Sequence, residues 1–286
     1  MFQTAEPAQA AIELIVFDNP LVDQLSRLDW SAPWWQPWRV AGQRVAQRVI
    51  AGACLHEALN ADIDLPTIGQ SQYVAPIAHS SLRFAPQTSL PPHTAYEAFI
   101  YSSGTVPTRD NLHDFFNGLA WLMFPHTKRR LNQLQAAEIR SSGVQTTRGP
   151  LRDALTLFDE NAALWPVHAD APTDVLDALR AKQWHRACID LRAHWPHNAP
   201  VLFGHALLEK LATPYKSITA HVFIAQAAIN LESLYDLDLL VSNQLSATSL
   251  VPKPFIPLPV LGVPGWWACN ENTAFYDDAQ VFRAPR

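Results

Sequence analysis

The stretch that most constrains this chain is YEAFIYSSGTVPTRDNLHDFFNGLAWLMFPHTKRRLN, residues 96–132, because two prolines set its element boundaries. Tyr96–Tyr101 is rich in β-formers, and Thr105-Val106 returns after Ser102-Ser103-Gly104, which predicts a hairpin with Gly104 supplying a positive φ. Pro107 stops the second strand, and Thr108 or Asp110 offers a side-chain oxygen to cap the helix that follows. Leu112, Phe115, Phe116, Leu119, Leu122 and Met123 make the apolar face of that helix, while His113, Asn117 and Trp121 share another stripe at intervals of four. Pro125 must end or kink it and suits the first position of a second helix, about 126–140. That second helix carries Lys128, Arg129, Arg130 and Arg140, with Leu131, Leu134 and Ile139 turned inward.

The remaining pattern predicts one α+β domain spanning 1–286. A small mixed or antiparallel sheet from about 73–106 and 153–224 packs against helices 41–60, 110–140, 173–211 and 229–245. Within it, Tyr73–Ile77 and Leu82–Ala85 are expected as short extended pieces. Asp153–Phe158 reads as a buried strand, Asp159–Asn161 as a tight turn and Ala162–Val167 as the return strand. Val201–Leu211 is expected to run from an apolar entry into a helix, and Ile218–Ile224 to be a strand. Residues 1–40 end in Trp30, Trp34, Trp35 and Trp38, broken by Pro33 and Pro37, and read as an aromatic cover over a core at 41–250; a ligand-stacking platform is the alternative. The Pro- and Trp-rich tail, 251–286, is expected to wrap extended over the domain.

Composition narrows the function classes. Hydrophobic residues at 48% and charged residues at 16% supply a large core. A net charge of -5 gives no global attraction for nucleic acid or an anionic membrane, so neither is an expected partner, whereas a small-molecule ligand is compatible. Cys54, Cys188 and Cys269 are odd in number and form no CxxC pair, which argues for free, mostly buried thiols in a reducing compartment and against a structural zinc site. Residues 1–20 show no signal-peptide pattern, and no run approaches 18 apolar residues, so a cytoplasmic location is expected.

Glycine-rich phosphate loops, GxSxG and HExxH are absent, which removes the most readily recognised nucleotide enzymes and serine hydrolases. The candidate chemistry lies elsewhere. His113, Asp114 and Asn117 place an imidazole and an amide one helical turn apart, with a carboxylate to tune the imidazole. A hairpin followed by a helix bearing His and Asn is also the outline of the ββα-metal nucleases, but Tyr96–Tyr101 lacks the strand histidine that family uses as base. His205 and Glu209 point the same way on a helix, and His221 on a neighbouring strand would complete a three-ligand divalent-metal site with an open position for water. Arg152, Asp159 and Glu160, with Arg148, Asp153, Thr156 and Asn161 nearby, gather acid, base and cation at a strand end. The structural alternatives are loop-holding polar residues for the first set, hydrogen bonding or a Glu209–Lys210 neighbourhood ion pair for the second, and turn formation for the third. The basic run from His126 to Arg152 can meet phosphates or serve as a solvated helix face, and Cys188 reads as a core thiol.

Four blocks carry a family resemblance: TAYEAFIYSSGTVPTRDNLHDFFNGLAWLMFPHTKRRLNQLQ, RGPLRDALTLFDENAALW, GHALLEKL with TAHVF, and PLPVLGVPGWWACNENTAFYDDAQVFR. Together they resemble a proteobacterial family, domain of unknown function 3025, over roughly residues 15–286. The resemblance implies a cytoplasmic, single-domain bacterial protein and brings no catalytic residue with it. On the residues themselves the leading expectation is a hydrolase-like enzyme with a His/Asp/Glu pocket, with or without a divalent metal. The alternatives are a non-catalytic binding module using the Trp clusters and the basic helix, and a degenerate ββα nuclease.

Overall fold

A computed structural model describes residues 19–65, 82–142, 149–168, 171–197, 199–228, 231–251 and 253–285. Helices α1 (Pro20–Ser26), α2 (Arg39–Ile50) and α3 (Leu55–Ile63) come first. Strand β1 (Arg83–Pro86), α4 (Tyr96–Ser103) and β2 (Thr105–Thr108) follow. Then come α5 (Leu112–Met123), α6 (Pro125–Ser142), α7 (Pro150–Asn161), β3 (Ala162–His168) and α8 (Asp174–Arg180). Strand β4 (Val201–Leu202), α9 (His205–Leu211), β5 (Thr219–Ala227), α10 (Leu234–Gln244), α11 (Ala247–Leu250) and β6 (Ile256–Pro259) complete the order. The class is α+β. A four-stranded mixed sheet runs β4-β3-β5-β6, with β3 and β5 parallel and both outer pairs antiparallel, and a parallel β1-β2 pair stands apart from it.

Two expected strands are helices. Tyr96–Ser103 is α4, so the hairpin and with it the ββα nuclease outline do not form. Gly104 does take a positive φ of 69°, but as the residue that ends α4, donating its N–H to the Ile100 carbonyl. The six-residue run Tyr96–Tyr101, with Glu97 and Ala98 among Tyr, Phe and Ile, fits a strand or a short helix by propensity, and packing against α6 decides it. Residues 153–158 belong to α7, where Ala154, Leu155 and Phe158 are buried at helical spacing and Pro150 occupies the first turn. The expected turn at 159–161 is therefore the last turn of α7, which passes straight into β3. The expected helix 41–60 is broken at Gly52, φ 104°, and restarts behind a Cys54–Glu57 capping box. The cap of α5 is Asn111 and not Thr108 or Asp110, while Asp110 instead accepts from the Leu55 amide at 2.7 Å. Tyr73–Ile77 lies outside the described residues.

The Trp cluster is core. Trp34, Trp35 and Trp38 are buried, Trp35 stacks on Phe116 at 5.2 Å, and Trp38 donates its indole N–H to the Leu202 carbonyl at 3.0 Å. It covers α5 and is not available as a stacking platform. Cys188 is buried as expected, and burial pushes its thiol up to about 12; Cys54 and Cys269, expected mostly buried, are exposed.

The position of α6 is set at its first turn. The fully buried Asp238 of α10 accepts from the His126 and Thr127 amides at 2.9 and 2.7 Å, satisfying donors that no helix can satisfy internally. Burial raises the Asp238 carboxyl above its ordinary 3.8, and those hydrogen bonds only partly offset the rise. A native state that holds this proton more tightly than the unfolded chain loses the corresponding stability as pH climbs through the native value. Urea unfolding of Asp238→Asn should therefore show the variant gaining on the wild type as the pH rises above about 4. Asp238→Ala, which strips both acceptors, should lose about 1–3 kcal/mol across the range.

Candidate active site

The first turn of α5 is built by its own polar residues. Asn111 accepts from the Asp114 amide at 2.7 Å, and Asp114 accepts from the Arg109 amide at 2.7 Å and from its guanidinium at 2.8 and 3.1 Å. Asp114 is thus spent on fixing the β2–α5 connection, which leaves His113 presented from a rigid turn. Three residues beyond Asp114, Asn117 donates to the Tyr96 hydroxyl of α4 at 3.2 Å and accepts from Lys128 of α6 at 2.9 Å.

Lys128 is the hub of the polar interior. Its ammonium is 4% exposed and lies 2.6 Å from Asp159 Oδ1, over the Trp121 ring at 5.4 Å. Burial alone would lift the Asp159 carboxyl, but Lys128, with His205 and His113, outweighs it and holds that carboxyl below the ordinary range.

His205 reaches this cluster because the β4–α9 junction rests on the end of α7. The Phe203 and Gly204 amides both donate to the Ala162 carbonyl at 2.9 Å. A Cβ at Gly204 would come within 2.4 Å of the Glu160 and Asn161 backbone, so only glycine permits the approach. His205 opens α9 and Glu209 follows one turn later on the same face, against α5. Glu209 Oε2 sits 2.8 Å from His113 Nδ1, His113 Nε2 faces His205 Nε2 at 3.1 Å, and His205 Nδ1 is 3.7 Å from Asp159 Oδ2. The result is a run of carboxylate, imidazole, imidazole and carboxylate drawn from α9, α5, α9 and α7. Burial depresses His205 to about 4, with Asp159 opposing the shift.

A cavity of about 500 Å³ opens on this run, large enough for a small molecule. His113, Asp114, Asn117, Arg152, Asp159, Glu160 and His205 all line it, so the first and third candidate sets and part of the second converge. Glu209 stands behind His113. His221 does not line the cavity: it sits on β5 opposite Ala162 and Pro257, edge-on to Phe255. The proposed His205, Glu209 and His221 trio is therefore not assembled, because Glu209 is turned to His113. Among the described residues no group of three or more His, Cys, Asp or Glu is arranged to hold a metal ion.

Tyr96, Glu97 and Arg109 also line the cavity, although residue type and spacing do not mark them as site residues. Glu97 lines the cavity, bound by the Asn132 amide at 2.6 Å, and burial followed by the nearby Asp159 charge raises its carboxyl. Arg152 Nε is buried with no hydrogen-bond partner among the described residues. Lys128 belongs neither to a solvated face nor to a phosphate-facing one: Thr127, Lys128, Leu131, Asn132, Gln135 and Ala136 form one buried stripe. Other cations of the basic run are also engaged: Arg130 donates to the Leu245 carbonyl and Arg140 lies on Tyr101. Arg148 lies outside the described residues.

Residues 82–286 match the family model described as protein of unknown function (DUF3025). The chain belongs to that family. No curated protein and no solved structure matches it. Every residue of the cavity and of the imidazole run falls within the DUF3025 segment, whereas α1–α3 and the Trp cover precede it. Among the described residues of this DUF3025 protein no helix is long and apolar enough to cross a membrane.

Removing one member of the Lys128–Asp159 pair should be far worse than removing both, since a lone buried charge has no compensation. Lys128→Met is expected to cost about 3–5 kcal/mol of unfolding free energy, and adding Asp159→Asn to recover a large part of it. Urea titrations of the three variants form a double-mutant cycle; equal, additive losses would contradict the hub role of Lys128.

Proposed function

We propose that the cavity is the active site of a hydrolase acting on a small polar substrate. The observation that carries this reading is the run Glu209–His113–His205–Asp159 at the wall of a polar cavity. Imidazoles held by carboxylates are the usual means of drawing a proton from water near neutral pH. His113, its ring oriented by Glu209, is the water-activating element, and His205 Nε2 faces it at 3.1 Å. Glu97, whose carboxyl burial raises above its ordinary value, is in this reading the proton donor to the leaving group. Arg152, whose Nε is unpartnered among the described residues, is placed to meet negative charge that develops on the substrate. The binding-module alternative finds less support, because the Trp cluster is buried and Lys128 is consumed internally.

The test is a chromogenic panel of esters, amides and phosphoesters assayed with the purified full chain. Turnover on one class is expected to fall by about 100-fold or more in His113→Gln and in Glu97→Gln, with unfolding midpoints close to the wild type. Turnover that survives His113→Gln, or none across the panel, rejects the reading.

A further inference from the structure

Proton placement at the histidine pair leads to a specific ligand. Carboxylates only accept hydrogen bonds, so Glu209 places the His113 proton on Nδ1, and Asp159 beside His205 Nδ1 favours the same tautomer there. Each Nε2 then carries a lone pair, and the two lone pairs face one another at 3.1 Å. Two lone pairs at that separation repel unless a cation lies between them. A proton would lie close to the line joining the nitrogens, because a hydrogen bond prefers near-linearity. The rings do not point straight at one another: their centroids are only 4.6 Å apart, with planes at 80°. The two Nε2 directions therefore do not both lie along that line. Metal–imidazole bonds of about 2.0–2.1 Å set two adjacent ligands roughly 3 Å apart, which is the spacing found.

The surroundings match. Metal-bound histidines characteristically give their other ring nitrogen to a carboxylate; His113 Nδ1 has Glu209 at 2.8 Å, while His205 Nδ1 has Asp159 Oδ2 at 3.7 Å and no hydrogen-bond partner among the described residues.

We propose that His113 and His205 together bind one divalent transition-metal ion, of the zinc, cobalt or nickel type, through their Nε2 atoms. With two protein ligands among the described residues, the remaining coordination positions face the cavity and are filled by water or substrate oxygen. The ligand set differs from a trio containing His221. It rests on the hydrolase reading only for what the ion does, activating the attacking water in place of a free imidazole nitrogen, and not for whether it binds.

Untagged full-length protein, stripped with a chelator, is titrated with Co(II) and Zn(II) by calorimetry and visible absorption. One ion per chain is expected, with a visible Co(II) band from nitrogen ligands. Binding should be lost in His113→Ala and in His205→Gln, weakened about 10–100-fold in Glu209→Gln, and unchanged in His221→Ala. Circular dichroism confirms that each variant is folded. Because a ligand variant can fail to fold, nitrogen-15 NMR of the wild-type imidazoles provides a second reading: zinc should shift the Nε2 signals of both histidines. No binding at millimolar ion, binding that survives both histidine substitutions, or an NMR signature of one proton shared between the two Nε2 atoms overturns the proposal. Zinc binding at the pair without hydrolysis upholds this site and ends the hydrolase reading, whereas chelator-resistant hydrolysis that needs His113 does the reverse.

Discussion

The ammonium of Lys128, buried between Asp159 and Asn117, is the interaction on which the rest of the molecule depends. It joins three helices at one point: α6 supplies the cation, α7 the carboxylate and α5 the amide. An unpaired charge at that depth would be costly, so the helices hold a mutual position that no apolar contact alone would dictate. The bond from Asn117 onward to Tyr96 extends the constraint to α4. The same Asp159 that neutralises Lys128 turns its other oxygen toward His205, so the structural hub and the candidate site share one carboxylate.

The site is correspondingly built at junctions and not within a single element. His113 projects from the first turn of α5, held by the Asn111–Asp114–Arg109 network. His205 begins α9, and its approach to α7 depends on the missing side chain of Gly204. Asp159 ends α7 just before the chain enters the central strand β3. Helix termini leave backbone donors and acceptors free, and the polar residues that satisfy them are the same ones that aim the imidazoles.

Much of the candidate site was legible before the fold was. His113, Asp114, Asn117, Arg152, Asp159, Glu160 and His205 were singled out by residue type and spacing, and they meet in one cavity. The i, i+4 relation of His205 and Glu209 holds, but to a different end: it lets Glu209 orient His113 and not chelate beside His205. His221 was misplaced because strand membership says nothing of which neighbour a side chain meets. Asp153–Phe158 was read as a strand from its apolar content alone, although Pro150 and the spacing of Ala154, Leu155 and Phe158 carried a helical signal.

Local periodicity and proline placement determined, by themselves, the α+β class, helices α5 and α6, strands β3 and β5, and the core character of the apolar stripes. These properties depend on neighbours close in sequence, through the 3.6- and 2-residue repeats of the backbone. Tertiary structure decided that Tyr96–Ser103 is helical, that Lys128 is buried, and that His113 and His205, 92 residues apart, face each other at 3.1 Å. Those outcomes rest on the pairing of buried charges and on close backbone approach between distant segments. Neither has a period in the sequence, so neither can be read from it.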